Sequence, residues 1–573
     1  MSKVSIPDII ADLLLQYGVR NVVVSPGSRN APLIEAICRR EEFKIHTVVD
    51  ERVAAFIALG IAIQKNEPVT VVCTSGTAVL NYGPAVAEAF YRRVPLIVLS
   101  ADRPARWVDQ NDGQTIRQYE ILKNVVVKSV DIDTSETVDN RWYANRLVNE
   151  ALIWACHSPK GPVHINVHLE SPRISGNTEK KDISVERKID LIEPLPYMTF
   201  SEVKNLARGF TSKKIMVVIG SRLPDSRLNK ALSALSTFRN VVIVAEAQSN
   251  IRGVKNTVDN FDALYAFLTP KERADLYPDL VISIGGDFVS RSLKEWLRNA
   301  PSDLSHWAIE TNCPINVVDC FKHLDKILHT DAASFLKSLS SALRRATPPD
   351  EEYAGNWNVK NARVQSLTAE YVEAATWCDL KAVSGFFENL FGKVNVHISN
   401  GLAVRYAQLA RYDKASRIDC NRGCSGIEGS TSTAVGAALV SKVPVILLTG
   451  DMSAHYDLGA LCSGLIPKNF SIFVLNNGGG DIFRYIEATR NAPFREECLS
   501  VNRSVDFCAY AECNGFKYAK VTDSETLHKC VGKACKGTDG PYFFEIDTRN
   551  INNSEILRQY FKFIQSSIIN YDE

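Results

Sequence analysis

The chain has 573 residues, too many for one hydrophobic core, and at ~100–200 residues per domain it should divide into three or four. A hydrophobic fraction of 45% and a charged fraction of 23% are those of an ordinary globular protein, which excludes wholesale disorder. Sixty-six basic residues nearly cancel sixty-five acidic ones, so net charge gives no reason to expect nucleic acid or a membrane surface as a partner, and binding chemistry has to be local.

The opening stretch MSKVSIPDIIADLLLQYGV has a helical apolar pattern, without the apolar core and cleavage site of a secretory signal. No run of roughly 18 apolar residues follows, so a membrane span is not expected and a cytoplasmic protein is. Short apolar runs then alternate with helical patterns, the signature of parallel sheets flanked by helices. NVVVSPGS, VTVVCTSG, VPLIVLSAD and PVHINVH lie in the first third, and a polar stretch from Glu170 to about Pro196 reads as a linker. KIMVVIGSR, NVVIVAEAQ, DLVISIGGD and SHWAIET repeat the rhythm, and RRATPPDEEYAGNW (344–357) reads as a second linker. VNVHISNG, RIDCNRGCSGIEG, VPVILLTGD, FSIFVLNNGGG and PYFFEID complete it. The expected fold is therefore α/β: three consecutive doubly wound parallel-sheet domains, at 1–180, 195–343 and 358–573. Fourteen cysteines without a CxxC pair, the closest spacing being Cys420 and Cys424, read as reduced and mostly buried thiols.

Strand VPVILLTGD ends in a carboxylate, Asp451, that needs a cation. The next strand, FSIFVLNN, ends in Asn477 followed by Gly478, Gly479 and Gly480. Neighbouring parallel strands end side by side, so Asp451, the Asn477 amide oxygen and the Gly479 carbonyl form a hard-oxygen set suited to Mg²⁺, with Mn²⁺ as the alternative. Mg²⁺ keeps company with phosphate, which backbone groups at Gly450, Met452 and Ser453 would hold.

Gly-Asp, roughly two dozen residues and Asn-Asn together resemble the metal-diphosphate signature of thiamine-diphosphate enzymes, which are built from three α/β domains of this size. The resemblance implies thiamine diphosphate as cofactor. It also implies a glutamate against the cofactor's pyrimidine ring, and Glu51 in HTVVDERVAAFIALGIA matches, with TSGTAVLN, including Thr77, as the pyrimidine-binding turn. By the match to SGIEG, Ile427 is the apolar wedge under the bent cofactor. The two cofactor-gripping domains come from different chains in that family, so a homodimer or a dimer of dimers is implied, with the active site between chains.

Arg29, Arg103, Arg405 and Arg422 stand at glycine-rich strand ends, and guanidinium forks there suggest substrates with more than one carboxylate. PGSRNAPL, DERVAAFIALGIA, TSGTAV, ADRP, DGQTIRQ, NRGCSGIEG, GDMSAHYDLGAL and NNGGGDIF, in this order over nearly the whole chain, resemble the 2-succinyl-5-enolpyruvyl-6-hydroxy-3-cyclohexene-1-carboxylate synthase family of menaquinone biosynthesis. That resemblance implies joining of 2-oxoglutarate to isochorismate with loss of CO₂. It assigns Arg405 and Arg422 to the succinyl carboxylate, Ser28, Arg29, Arg103 and Gln114 to isochorismate, and Ile482 and Phe483 to an apolar wall. Two positions depart from the family pattern: a basic pair of the central domain is Arg291 followed by Ser292, and a serine before LAVR is Gly401. His455 and Cys424 read as packing residues. Another thiamine-dependent 2-oxoacid decarboxylase or acetohydroxyacid synthase, with a flavin in the central domain, stays open as an alternative, as does a non-catalytic cofactor-binding protein. The absence of GxGxxG in the central turns argues against the flavin.

Overall fold

Runs such as Asn-Val-Val-Val and Ile-Met-Val-Val-Ile are buried along their whole length, which suits a parallel sheet covered by helices on both faces. In the computed structural model, which describes residues 5–170, 185–312, 316–344, 352–500 and 505–568, such runs form three six-stranded sheets. The first comprises β1 (Asn21–Val24), β2 (Lys44–Thr47), β3 (Val69–Cys73), β4 (Leu96–Asp102), β5 (Lys128–Asp133) and β6 (Val163–His168), in the order β2-β1-β3-β4-β6-β5. The middle sheet comprises β7 (Ile215–Ile219), β8 (Val241–Ala245), β9 (Thr257–Val258), β10 (Leu280–Ile284), β11 (Ser305–Glu310) and β12 (Leu324–His329), ordered β12-β11-β10-β7-β8-β9. The third comprises β13 (Asn395–Ile398), β14 (Arg417–Cys420), β15 (Val445–Gly450), β16 (Phe470–Asn476), β17 (Lys517–Val521) and β18 (Tyr542–Asp547), ordered β14-β13-β15-β16-β18-β17. Every strand pair is parallel.

The first and third sheets share one strand order, and the middle one has the doubly wound order of dinucleotide-binding sheets. Its central crevice, between β7 and β10, is bridged by backbone: the Ser221 N–H donates to the Gly286 carbonyl at 2.7 Å. Four strands escaped the sequence reading, β5, β9, β12 and β17, and all four are sheet edges. Edge strands carry charge on exposed positions, as KYAKV does, and lose the apolar run that marks an inner strand.

The linkers also differ from expectation. Residues 353–357 are the first turn of the helix Tyr353–Ala374, and Trp357 is buried against Phe261 and Trp296 of the middle unit. Residues 186–189 lie along the first unit: Glu186 N–H reaches Asp12 Oδ2 and Ile189 N–H reaches Asn149 Oδ1, both at 2.7 Å. The remaining linker expectations at 171–184 and 345–351 lie outside the described residues. All thirteen described cysteines are free, but only five are buried, fewer than expected. Among the described residues no helix is long and apolar enough to cross a membrane.

The outer units meet through two helices, Glu51–Lys65 and Ser430–Val440, packed backbone to backbone. A Cβ at Gly60 would overlap the Thr433 carbonyl, and one at Gly436 the Ile57 carbonyl, so glycine at both positions permits the approach.

Candidate active site

β15 and β16 are hydrogen-bonded neighbours, and their C-terminal ends deliver Asp451 and Asn477 to the same edge. Asp451 Oδ1 accepts the Met452 N–H at 2.7 Å, and Oδ2 accepts those of Gly478 at 3.1 Å and Gly479 at 2.8 Å. Burial nevertheless pushes its carboxyl up to about 6. Asn477 Nδ2 donates to Asp379 Oδ2 at 2.9 Å, which orients the amide and leaves Asn477 Oδ1 buried without a partner. Asp379, fully buried, also accepts the Thr548 hydroxyl at 2.6 Å, and burial pushes it up to about 7. Among the described residues no lysine, arginine or histidine pairs with Asp451. An orphaned amide oxygen beside a carboxylate that lacks a counter-ion is a donor set for a hard divalent cation, so these residues fit one. No group of three His, Cys, Asp or Glu side chains is arranged for a metal among the described residues, and the Gly479 carbonyl accepts Arg484 Nη1 at 3.4 Å.

Around this cradle, Ile427 is 39% exposed and its carbonyl accepts the Ser453 hydroxyl at 2.5 Å. The Met452 N–H is held by Asp451 and the Ser453 hydroxyl by the Ile427 carbonyl. Gly450 N–H is held by Ser399 Oγ at 3.2 Å.

The four arginines form two pairs. Arg405 is largely buried; burial and then the nearby Arg422 charge lower its pKa, while its Nη1 donates to the Gly401 carbonyl at 2.5 Å. Arg422 donates to Asn400 Oδ1 at 2.8 Å and keeps a buried Nε without a partner. Half-exposed Ile482 and Phe483 begin the short helix Asp481–Tyr485 after Gly480. In the first unit, burial and then Arg103 lower the pKa of Arg29, whose Nη1 donates to the Leu169 carbonyl at 3.1 Å. Arg103 pairs with Asp112 at 2.6 Å, and its Nε lacks a partner. Ser28, Thr77 and Gln114 are exposed, with the Gln114 backbone against Gly76.

Glu51 opens its helix behind the N-cap Asp50, and burial raises its pKa. Within one chain it does not meet the cradle. Arg52 donates to the Tyr456 carbonyl at 3.1 Å, placing Glu51 near the far end of the helix Asp451–Tyr456, about 9 Å long at ~1.5 Å per residue. No hydrogen bond or ion pair among the described residues joins Glu51 to Asp451 or Asn477.

Residues 5–121 match the family described as thiamine pyrophosphate enzyme, N-terminal TPP binding domain, and residues 400–546 match its C-terminal TPP binding domain. Among curated proteins, the 2-succinyl-5-enolpyruvyl-6-hydroxy-3-cyclohexene-1-carboxylate synthase of Porphyromonas gingivalis is 35% identical over 566 residues, covering 97% of this chain and 96% of that protein. The proteins of the same name from Flavobacterium johnsoniae and Cytophaga hutchinsonii are each 34% identical over 567 residues, covering 98% of this chain and 99% of theirs. The chain belongs to the 2-succinyl-5-enolpyruvyl-6-hydroxy-3-cyclohexene-1-carboxylate synthase family of thiamine-diphosphate enzymes.

Several members of the site were not legible beforehand. Asp379 orients Asn477 from 98 residues away. Gln118 Oε1 holds the Gly76 N–H at 2.7 Å. Glu88, buried, accepts the Gly423 and Cys424 N–H groups at 2.9 and 2.7 Å and so ties the first unit to the Arg422 loop. Two readings are corrected: His455 and Cys424 are exposed within this chain, not packed. The family departures also acquire reasons. Arg291 is 80% exposed on its side chain and pairs with Glu295 at 2.6 Å, away from the arginine pairs. Ser292 N–H caps onto Asp262 at 3.2 Å. Gly401 has φ +92° and ψ −136°, a region closed to serine.

Proposed function

We propose that this chain, with thiamine diphosphate and a divalent cation, Mg²⁺ or Mn²⁺, removes CO₂ from 2-oxoglutarate and joins the remaining four-carbon unit to isochorismate, a step of menaquinone biosynthesis. The observation that carries the reading is the presence of two separate arginine pairs. Arg405 and Arg422 sit in the unit that holds the Asp451–Asn477 cradle, and Arg29 and Arg103 sit in the unit that holds Glu51. Two doubly cationic sites match two substrates that each carry carboxylates.

Asp451, Asn477 and the Gly479 carbonyl would hold the cation, with Gly450, Met452 and Ser453 lining the diphosphate side. Ile427 would press against the bent cofactor, and Thr77 would flank its pyrimidine. When bound, thiamine diphosphate supplies the electron sink for decarboxylation. Glu51, raised by partial burial, holds or releases a proton at the pyrimidine ring. Arg405 and Arg422 fix the spectator carboxylate of 2-oxoglutarate, while Ser28, Arg29, Arg103 and Gln114 orient isochorismate against Ile482 and Phe483. By resemblance to thiamine-diphosphate enzymes, the site would be completed between two copies, as a homodimer or a dimer of dimers. The free cysteines accord with a cytoplasmic setting.

The test is turnover with paired substrates. Isochorismate consumption matched one to one by CO₂ from 2-oxoglutarate supports the reading. CO₂ from pyruvate in preference to 2-oxoglutarate moves the chain to another class of thiamine enzyme.

A further inference from the structure

Both ring nitrogens of His168, the last residue of β6, face oxygen atoms that have no proton to give. Nε2 stands 2.9 Å from Asp131 Oδ2 on β5, and Nδ1 stands 2.5 Å from the backbone carbonyl oxygen of Arg103, one residue beyond β4. Asp102 Oδ2 lies 3.8 Å from Nδ1. A neutral imidazole has one N–H and satisfies one of these acceptors; the imidazolium satisfies both. Burial works to lower the ring's pKa, but the Asp131 bond, the Arg103 carbonyl and the two carboxylate charges outweigh it and carry it up to about 9. Against its own burial, Asp131 is held below the usual carboxylate range by His168 and Asn166, while burial raises Asp102. Asp133 on β5 stands opposite His168 in register, and His164 on β6 is lowered to about 4 by burial and stays neutral on Ser100. The Arg103 guanidinium turns to Asp112 instead.

The same strand end anchors the second arginine of the pair. The Leu169 carbonyl accepts Arg29 Nη1 at 3.1 Å, and the Leu169 N–H donates to the Asp102 carbonyl at 2.9 Å. Asn166 bridges Asp102 and Asp131 at 2.9 and 2.8 Å, and its oxygen accepts Gln118, which holds the Gly76 turn. The tips of three adjacent strands are thereby fastened into one support beneath Arg29 and Arg103.

We propose that His168, as the imidazolium, is a positioning residue that clamps the Arg103 backbone to Asp131 and so sets the spacing of Arg103 and Arg29 for the second, carboxylated substrate. The inference rests on the assignment of that arginine pair to isochorismate. It predicts an effect mainly on the isochorismate step, since among the described residues no hydrogen bond or ion pair of His168 runs to the Arg405–Arg422 pair or to the Asp451 cradle.

Two variants separate the bonds: asparagine places an amide N–H where Nδ1 stands, and glutamine places one where Nε2 stands. His168→Gln, which loses the Arg103 contact, is expected to raise the KM for isochorismate about tenfold, the size of one charge-assisted hydrogen bond. The KM for 2-oxoglutarate, the affinity for thiamine diphosphate and kcat should stay within about twofold. His168→Asn, which keeps the Arg103 contact and gives up Asp131, should raise the isochorismate KM by a smaller factor, about threefold. The parent's kcat/KM for isochorismate should be full at neutral pH and fall as pH rises through about 9, a limb that His168→Asn lacks. Equal isochorismate KM values for the parent and His168→Gln, or an alkaline limb unchanged in His168→Asn, overturn the proposal. If His168→Gln fails to fold, Asp131→Asn decides: the limb should move to lower pH, and an unmoved limb overturns the clamp. A parent enzyme that ignores isochorismate overturns the functional reading instead, and that outcome is seen before any variant is made.

Discussion

Gly60→Ala should destabilise the protein although alanine is the better helix former. Gly60 lies inside the helix Glu51–Lys65 that starts at Glu51, and an added Cβ would overlap the Thr433 carbonyl oxygen of the helix Ser430–Val440. Removing a glycine from a helix interior gains roughly 0.5–1 kcal/mol. Overpacking a tight contact costs about 1–3 kcal/mol, and here the obstacle is backbone that cannot rotate aside. The net expectation is a loss of about 1–2 kcal/mol, or an apparent Tm lower by roughly 2–8 °C at ~2–4 °C per kcal/mol. Gly532, inside the helix Ser524–Lys536, supplies the control: a Cβ there meets nothing within 4 Å. Gly532→Ala should raise the apparent Tm by roughly 1–4 °C from propensity alone. Both are read by thermal scans at one fixed rate, because a multidomain chain does not unfold in two states. The two helices also set where Glu51 and the Ile427 loop stand, so Gly60→Ala should weaken thiamine diphosphate binding as well. Gly60→Ala and Gly532→Ala shifting Tm upward together would refute the close contact between the outer units.

Removing Asp379 should cost cation affinity without touching a ligand. Asp379→Ala frees the Asn477 amide to turn, and a 10–100-fold weaker Mg²⁺ dependence of thiamine diphosphate binding is expected by titration calorimetry. Arg405→Ala should raise the KM for 2-oxoglutarate by about 10–100-fold and leave that for isochorismate unchanged in steady-state assays. Asp419 gives a pH prediction. Burial would raise this carboxyl, but Arg417, His397 and Arg92 outweigh it and hold it down at about 2, against 3.8 ordinarily. A depressed folded-state pKa stabilises fully above the unfolded value and is lost as pH falls, so ~2 kcal/mol should disappear between about pH 4 and pH 2. Asp419→Asn should flatten that part of the Tm against pH curve, at a lower Tm throughout because the arginines lose their partner.

How far the sequence could be read follows from where each residue's partners lie. Inner strands such as VPVILLTGD and FSIFVLNN are apolar on both faces, so their ends, and Asp451 and Asn477 with them, could be located and placed side by side. An edge strand such as Lys128–Asp133 answers to solvent on one side and shows no such run. The arginines could be named but not paired, because pairing depends on which strand ends converge. Asp379, Gln118 and Glu88 act on backbone or amide groups 98, 42 and 335 residues away, distances over which no local pattern carries information. The linker at 353–357 was misread because an acidic, Pro-bearing lead-in hides the Tyr353 and Trp357 spacing of a buried helix face. His455 and Cys424 were misjudged because a motif position says nothing about which way a side chain points.

The most direct measurement is release of labelled CO₂ from carboxyl-labelled 2-oxoglutarate by the purified protein with Mg²⁺ and thiamine diphosphate, with and without isochorismate, beside Glu51→Gln. Sustained release that requires isochorismate and vanishes in Glu51→Gln, with cofactor still bound, is the predicted result. Release that survives the Glu51 substitution, or that never responds to isochorismate, would contradict the account.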